Sequence, residues 1–598
     1  MEESLESFEA RVEEVKAEPN RFFEAACRGS QSELSQFAAC WGAIPEVLTM
    51  SPLRAFIPHL AVSPGEADAS GVARFRALFS LRGISVAGGH LRTHNDFVAQ
   101  ILEAWPLILN WLHFFEATSF LPKAQSSQAS KGDDVQGPYS NLLILTALLH
   151  CLCTHPLLYR KVVSTKGLLD LAMKLWLLER FDDRCDLTLT QYIGTTAALA
   201  TYLQYSDNTR VTAEKISKIE GCDPAKVTAL ALARLSITCA VREFSADMTA
   251  ALLNTIQQLS SNSPFSEWFI RNNSIEIISN ILSALCNRLR QGQRDMVQPA
   301  LLCLGYLSKN LELGFDITPP SEAIESGLLW GFVECSPYLD GPMPKGVSAL
   351  SVKGILSRIL PIYMTYRSAV QAVYDSTIQR PYDLGKIKGS VVKDSWECFL
   401  HLVTVRYNQM QGIPLTAIGC DNDLCPEDVK YDAKLMNCTG CRSVRYCSKQ
   451  CQVFDWKNGH KSLCKAAAEE RSRGILAMQT LRRRDRAFQY VLTTKDAVCK
   501  RDFLRTLAAQ KYPGVALTKM VVLIDYTVFP PIFSLKHIDE YEYEVVSNSI
   551  SDETRITRKL GHLRHRPQDG ITMVESLIPA GCFLRYVVTT RVKRLWDN

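Results

Sequence analysis

The sequence has little excess charge of either sign and no long uncharged apolar run. Its 598 residues include 67 basic and 62 acidic side chains, for a formal net charge of +5. That balance excludes the strongly basic character of a dedicated nucleic-acid binder. The longest uncharged stretch, Pro138–Tyr159, contains two histidines and falls short of the roughly 20 apolar residues of a membrane-spanning helix. We therefore expect a buried core helix there and no membrane association.

The first 19 residues lack the features of a targeting sequence. They are acidic and amphipathic, without a basic region followed by an apolar one and without an arginine-rich transit pattern. We therefore expect an intracellular protein, in the nucleus or the cytoplasm, that is not secreted. Its composition, 47% hydrophobic and 22% charged, is typical of a chain that mostly folds.

Motifs of several enzyme classes are also missing. The sequence contains no Gly-x4-Gly-Lys-Ser/Thr phosphate-binding loop, no Gly-x-Ser-x-Gly nucleophile elbow and no His-Glu-x2-His metalloprotease helix. These absences favour a protein without catalytic activity.

Helical periodicity, in contrast, is abundant between about residues 140 and 410. Apolar residues recur at helical spacing in consecutive segments, separated by short polar connections. Helix pairs would span roughly 40–50 residues, the period of armadillo and HEAT repeats. We predict a mainly α fold whose N-terminal region is an irregular armadillo/HEAT-like α-solenoid, with a compact bundle as the alternative. The segments are Leu142–Tyr159, Leu168–Phe181, Ala225–Phe244, Ala246–Leu259, Ser274–Arg290, Met296–Leu311, Val347–Val373 and Val392–Met410.

Changes in composition divide the chain into five predicted regions. The segment KAQSSQASKGDDVQG has almost no apolar content, as a flexible linker or insertion would. Three later segments (Lys519–Thr527, Ile571–Ile578 and Cys582–Val592) resemble strands, and Asp552–Leu563 resembles a helix. The regions are an N-terminal helical region (1–122), the linker (123–137), a helical repeat-like domain (138–412), a cysteine-rich module (416–466) and a C-terminal helix plus small α/β unit (467–598).

Seven of the twenty cysteines lie between residues 420 and 464, together with one histidine. In a chain without a secretion signal, such a cluster indicates metal ligands rather than disulfides or redox thiols. Eight thiolate and imidazole ligands suffice for two tetrahedral zinc sites, and a short spacing lets both members of a pair reach one ion. The pairs are Cys420-x4-Cys425, Cys438-x2-Cys441, Cys447-x3-Cys451 and His460-x3-Cys464.

This cluster resembles the MYND zinc-finger family, whose eight ligands follow the same order in two interleaved sites. The resemblance is confined to residues 420–464; the remainder is similar to MYND proteins with a long helical N-terminal region. Family-like residues accompany the ligands at Arg445-Tyr446, Gln452 and Asp455-Trp456. The resemblance implies one zinc ion bound by Cys420, Cys425, Cys447 and Cys451, and a second bound by Cys438, Cys441, His460 and Cys464.

One departure from the family leaves an alternative ligand open. Four residues separate Cys420 from Cys425, where the family usually has two, so Asp421 or Asp423 is an alternative to Cys425. A thiolate is the better-matched donor for zinc. Because sites closed by four protein ligands leave no position for water, we expect both ions to be structural.

The resemblance also implies a shallow groove for proline-rich peptides, at Thr439, Gln452 and Trp456. Trp456 could instead pack the module against neighbouring helices. We expect a zinc-binding scaffold or adaptor whose partner is a protein or proline-rich peptide; the oligomeric state stays open.

Two other functions compete with this one. The basic runs Arg482–Arg486 and Arg555–Arg566 could contact nucleic acid, although a solvated helix face also explains them. Some MYND proteins are SET-type lysine methyltransferases, but the motifs of that fold are missing here. His150 and His155, with Cys151 and Cys153 between them, could form another metal cluster or simply lie in a core.

Overall fold

We describe the fold from a computed structural model of the chain. It describes residues 5–65, 71–119, 137–177, 209–413, 418–542 and 557–596, apart from short breaks within these ranges, and a few isolated positions between 196 and 203. The predicted linker lies almost wholly outside the described residues. Two compact units, Met1–Ser274 and Ile275–Asn598, emerge from the contacts within the chain. The five predicted regions stay a prediction.

Helices form the first unit. Pro45, Pro156 and Pro224 each occupy a first helical position, where the fixed φ of proline fits and its missing N–H costs nothing. The helices are α1 (Leu5–Ala17), α2 (Pro19–Cys27), α3 (Gln31–Cys40), α4 (Pro45–Leu48), α5 (Val72–Val86), α6 (Asn95–Glu103), α7 (Trp105–Ser119), α8 (Gly137–Cys153), α9 (Pro156–Ser164), α10 (Leu168–Leu177), α11 (Thr209–Ile216), α12 (Pro224–Ala240), α13 (Ala246–Ser260) and α14 (Phe265–Arg271).

The segment Leu142–Tyr159, predicted as one helical segment, is two helices. Pro156 ends the periodic run and starts α9, and α8 and α9 meet at a bend of 118°. No single helix of the described residues is long and apolar enough to cross a membrane. Of these helices, only α8 and α9 taken together reach that length and apolar content, and they are bent.

The second unit continues with helices, and Val347–Val373, predicted as one segment, is broken into shorter pieces. Several helices pack against a helix one to three positions away along the chain, as in helical repeats. The prediction of a mainly helical chain is confirmed. The helices are α15 (Ser274–Arg290), α16 (Val297–Leu313), α17 (Thr318–Glu325), α18 (Leu328–Cys335), α19 (Ala349–Gly354), α20 (Leu360–Tyr363), α21 (Arg367–Gln379), α22 (Leu384–Lys388), α23 (Lys393–Gln411), α24 (Lys449–Asp455), α25 (Lys461–Ser472), α26 (Leu476–Cys499) and α27 (Arg501–Lys511).

A four-stranded mixed sheet confirms the small mixed C-terminal unit. The strand order is β6-β5-β7-β8; β5 and β7 are parallel and the other two pairs antiparallel. Helix α26 packs on β7 and β8. The sequence prediction missed β6, an edge strand that follows two prolines and exposes Ile532. The strands are β5 (Met520–Asp525), β6 (Ile532–His537), β7 (Ile571–Pro579) and β8 (Arg585–Lys593).

A buried ion pair joins α23, α26 and the sheet. Both terminal nitrogens of Arg406 donate to the carboxylate of Asp496, at 2.7 and 2.8 Å. The Tyr526 hydroxyl, just after β5, donates to the same carboxylate at 2.9 Å. Burial raises the pKa of Tyr526 well above its ordinary value, which keeps this hydroxyl a donor. The three elements are thus held by one charged group.

We expect Asp496→Ala to lower the free energy of unfolding by about 3–5 kcal/mol, because it leaves the guanidinium of Arg406 buried without its counter-charge. Asp502→Ala is the control: that carboxylate is 89% exposed beside Arg505, and its loss should cost no more than about 1 kcal/mol. Chemical unfolding followed by circular dichroism measures both. Equal, small effects would contradict the role assigned to the pair.

Candidate metal centre

Short strands position the ligands of the cysteine-rich module. Two antiparallel ribbons, β1 (Ile418–Gly419) with β2 (Val429–Lys430) and β3 (Met436–Asn437) with β4 (Arg445–Tyr446), supply the strands. Cys420, Cys438 and Cys447 each directly follow a strand of these ribbons.

An N-terminal cap of helix α24 positions Cys451. The side chain of Ser448 accepts a hydrogen bond from the backbone N–H of Cys451 at 3.1 Å and so caps the helix. The cap fixes the first turn of α24 and directs Cys451 towards Cys447, with 3.6 Å between their sulfur atoms.

The first site brings together Cys420, Cys425, Cys447 and Cys451, whose sulfur atoms all lie within 4.8 Å of one another. The sulfur atoms of Cys425 and Cys447 are 3.6 Å apart. The backbone N–H of Cys447 donates to the Cys420 sulfur at 3.4 Å, the kind of contact that stabilises a thiolate.

The second site brings together Cys438, Cys441, His460 and Cys464, again within 4.8 Å. The Cys438 and Cys464 sulfur atoms are 3.8 Å apart, and His460 Nε2 lies 3.6 Å from the Cys441 sulfur. Gly459, at φ 137°, makes the turn that brings His460 inward from the end of α24.

The distances fit tetrahedral zinc. With a Zn–S bond of about 2.3 Å, two sulfur atoms on one ion lie about 3.8 Å apart, close to the separations of 3.6–3.8 Å found here. A disulfide would bring them to about 2.0 Å. Four thiolates in one site and three thiolates with one imidazole in the other are typical structural zinc ligands. The module therefore binds two zinc ions.

Asp421, one of the two alternative ligands, forms backbone hydrogen bonds instead. The Asp421 carboxylate accepts from the backbone N–H of Arg445 at 2.7 Å, and the Asp421 N–H donates to the Arg445 carbonyl at 2.8 Å. These bonds hold the first site's chain segment against β4. Asp423 lies outside the described residues.

Tyr446 braces the module between the two sites. Its hydroxyl, on a fully buried ring, donates to the carboxylate of Asp455 in α24 at 2.7 Å. Burial, and then this carboxylate, raise the pKa of Tyr446 above its ordinary value. The same ring meets the His460 ring edge-on, with centroids 6.2 Å apart. One side chain thus connects β4, α24 and a ligand of the second site.

The predicted peptide-binding residues lie on the surface. Thr439 is exposed, Gln452 is half-buried and Trp456 is 40% exposed, with its ring 5.7 Å from that of His460. The sequence prediction missed other apolar side chains of the module surface, which neither ligand spacing nor periodicity distinguishes from core residues. They are Met436 (36% exposed), Val453 (44%) and Phe454 (43%).

The suggested second metal cluster does not form in the described part of the chain. Among the described residues, histidine, cysteine and acidic side chains bring their donor atoms together in two groups, and these are the two zinc-ligand sets. Cys151 is fully buried, its thiol donates to the Ile84 carbonyl, and burial raises its pKa to about 12. Cys151 is a packing residue, whereas the His150 side chain is exposed on α8.

The first basic run lies in helix α26, and the second is described at half of its positions. Within Arg482–Arg486, the Asp485 side chain is described, and it accepts from the backbone N–H of Arg367 at 3.0 Å. Within Arg555–Arg566, the Arg564 guanidinium donates to the Ile538 carbonyl at 2.9 Å and lies 3.5 Å from the Asp539 carboxylate. Every regular element described before residue 418 is helical, whereas a SET domain would need strands.

Comparison with known proteins identifies the module. Residues 420–464 match the MYND finger family. Three ubiquitin carboxyl-terminal hydrolases of Arabidopsis thaliana are similar over short segments: number 19 at 33% identity over 97 residues, number 17 at 52% over 29 and number 16 at 43% over 44. These segments cover 16%, 5% and 7% of this chain and 14%, 4% and 4% of the three relatives. No solved structure matches the chain.

Because the chain spans at most about a seventh of the length of these relatives, the similarity does not extend to their whole domain organisation. The family match and the two ligand sets together make residues 420–464 a zinc-binding protein-interaction module, which is itself non-catalytic.

The zinc content of the purified protein tests the assignment of the two sites. Purified protein should contain two zinc ions, and Cys441→Ala should remove one, because three remaining ligands no longer close the second site. Elemental analysis measures the stoichiometry. Limited proteolysis should show residues 420–464 becoming more susceptible, since metal binding contributes the folding free energy of so small a module. Zero or one zinc ion in the wild type would contradict the assignment.

A second prediction concerns Gly440. A Cβ there would lie 2.8 Å from the sulfur of Cys464, too close for a ligand whose position is fixed. We expect Gly440→Ala to weaken the second zinc site selectively, so that competition with a chelator releases one ion at lower chelator concentration. Gly412→Ala is the control, because a Cβ there meets no atom within 4 Å. Identical release from the two variants would refute the steric argument.

Proposed function

We propose that the module is the peptide-binding element of a non-catalytic scaffold or adaptor, and that it binds an extended, proline-rich segment of another protein. One observation carries the proposal: among the described residues, one edge of strand β3 has no partner strand, and the same zinc-held module exposes Trp456.

The edge of β3 is suited to an added strand. In the described residues β3 pairs with β4 alone, and the far side of β4 is already occupied by Asp421. Met436 and Asn437, which form β3, are both exposed. An extended peptide can hydrogen-bond to such an edge. Proline is tolerated in an edge-bound peptide where its missing N–H would face solvent.

Side chains beside this edge provide apolar contacts. Met436 pairs with Tyr446, so both lie on one face of the ribbon, and the bond from Tyr446 to Asp455 turns this face towards α24. Gln452 and Trp456 are one helical turn apart, and Trp456 offers an aromatic wall of the kind that recognises polyproline segments.

The remainder of the chain supports a scaffold that carries this element. Its helices bury their apolar faces within their own unit, as in helical-repeat proteins with extended binding surfaces. We also propose an intracellular location, because the described cysteines form no disulfide, which is typical of a reducing compartment.

We expect Trp456→Ala to weaken binding of a proline-rich peptide by about 2 kcal/mol, roughly thirtyfold, because exposed aromatic anchors dominate such interfaces. The assay is fluorescence anisotropy of hits from an array of synthetic proline-rich dodecapeptides, with full-length protein. Phe454→Ala is the control, since Phe454 is equally exposed but roughly 200° around the helix from Trp456. Equal loss in both variants, or no hits on the array, would count against the groove.

A further inference from the structure

The segment of the module that contains β3, β4 and α24 has few acidic residues. Between Asp432 and Glu469 the sequence contains one acidic residue, Asp455, and its carboxylate is buried against Tyr446. The other acidic residues of the module, Asp421, Asp423, Glu427, Asp428 and Asp432, come before this segment in the sequence, and the segment itself is rich in basic residues. Its basic residues are Lys434, Arg442, Arg445, Lys449, Lys457, Lys461 and Lys465.

Three of these lysines lie within seven residues of Trp456 in the sequence. Lys449, Lys457 and Lys461 are exposed, and none of them forms an ion pair with a described residue. Lys449 lies one turn before Val453, and Lys457 directly follows Trp456. Charge compensation of the buried thiolates does not require ammonium groups exposed to solvent, so these charges are available to a partner.

Resting on the proposed peptide-binding function, we infer that the ligand carries acidic residues flanking its proline-rich core. Opposite charges across an interface steer association and select partners. A peptide is favoured over nucleic acid, because the surface combines this charge with a free strand edge, whose N–H and C=O groups match a peptide backbone. Single-stranded nucleic acid would call for a series of stacking aromatics, whereas the exposed aromatic side chains described in the module, Phe454 and Trp456, are roughly 200° apart around the helix.

The test uses full-length protein and three fluorescein-labelled dodecapeptides that share one proline-rich core. The core is flanked by pairs of glutamate, glutamine or lysine. Anisotropy gives Kd at 50 and 500 mM salt. We expect the glutamate peptide to bind about fivefold more tightly than the glutamine peptide at low salt, from two or three exposed charge pairs, and this preference to fade at high salt.

The combined variant Lys449→Gln/Lys457→Gln/Lys461→Gln should abolish the preference and leave binding of the glutamine peptide unchanged. Lys388→Gln, at an exposed lysine of α22 outside the module, is the control and should preserve it. Zinc content of two in every variant shows that the module is folded.

Other outcomes distinguish failure of the acidic preference from failure of the groove. Equal binding of the three peptides overturns the acidic preference and leaves the groove intact, provided that Trp456→Ala still weakens binding. Binding of none of them refutes the groove itself. A labelled single-stranded RNA that binds more tightly than every peptide, through the same three lysines, overturns the inference in favour of nucleic acid.

Discussion

The function-bearing part of this protein depends on coordination of two zinc ions by interleaved pairs of ligands. Each ion joins segments that are distant in sequence, as Cys425 with Cys447 and Cys438 with Cys464 show. Six of the seven most buried residues in the core of the module are ligand cysteines or Tyr446, which lies between the sites. So small a core cannot hold the chain by apolar burial, and metal binding therefore contributes the folding free energy.

This division of roles explains why apolar side chains remain on the surface of the module. Because the ligands and Tyr446 already form its interior, Val453, Phe454 and Trp456 are not needed for packing and stay 40–44% exposed. Exposed apolar groups on a rigid support are costly in solution and typical of interaction sites. The lysines beside them serve solubility and give the surface its charge.

Helical periodicity predicted most of the helical region, since apolar spacing is a local property of the chain. Sequence patterns were misleading at a proline inside an apolar run and at an edge strand. Pro156 divides a continuous apolar run into two helices, and β6 escaped notice because an edge strand buries few of its side chains. The pairing of Arg406 with Asp496, 90 residues apart, has no local signal, since each residue alone resembles a surface charge.

By itself, the sequence determined the kind of metal, the number of ions and the donor atoms, because thiolates and an imidazole in close pairs suit zinc. It also determined that the chain is mainly helical. The tertiary structure decided which side chains the zinc sites leave exposed and, among the described residues, which edge of β3 has no partner strand. These properties depend on which surfaces other parts of the chain cover, and the periodicity of a segment does not contain that information.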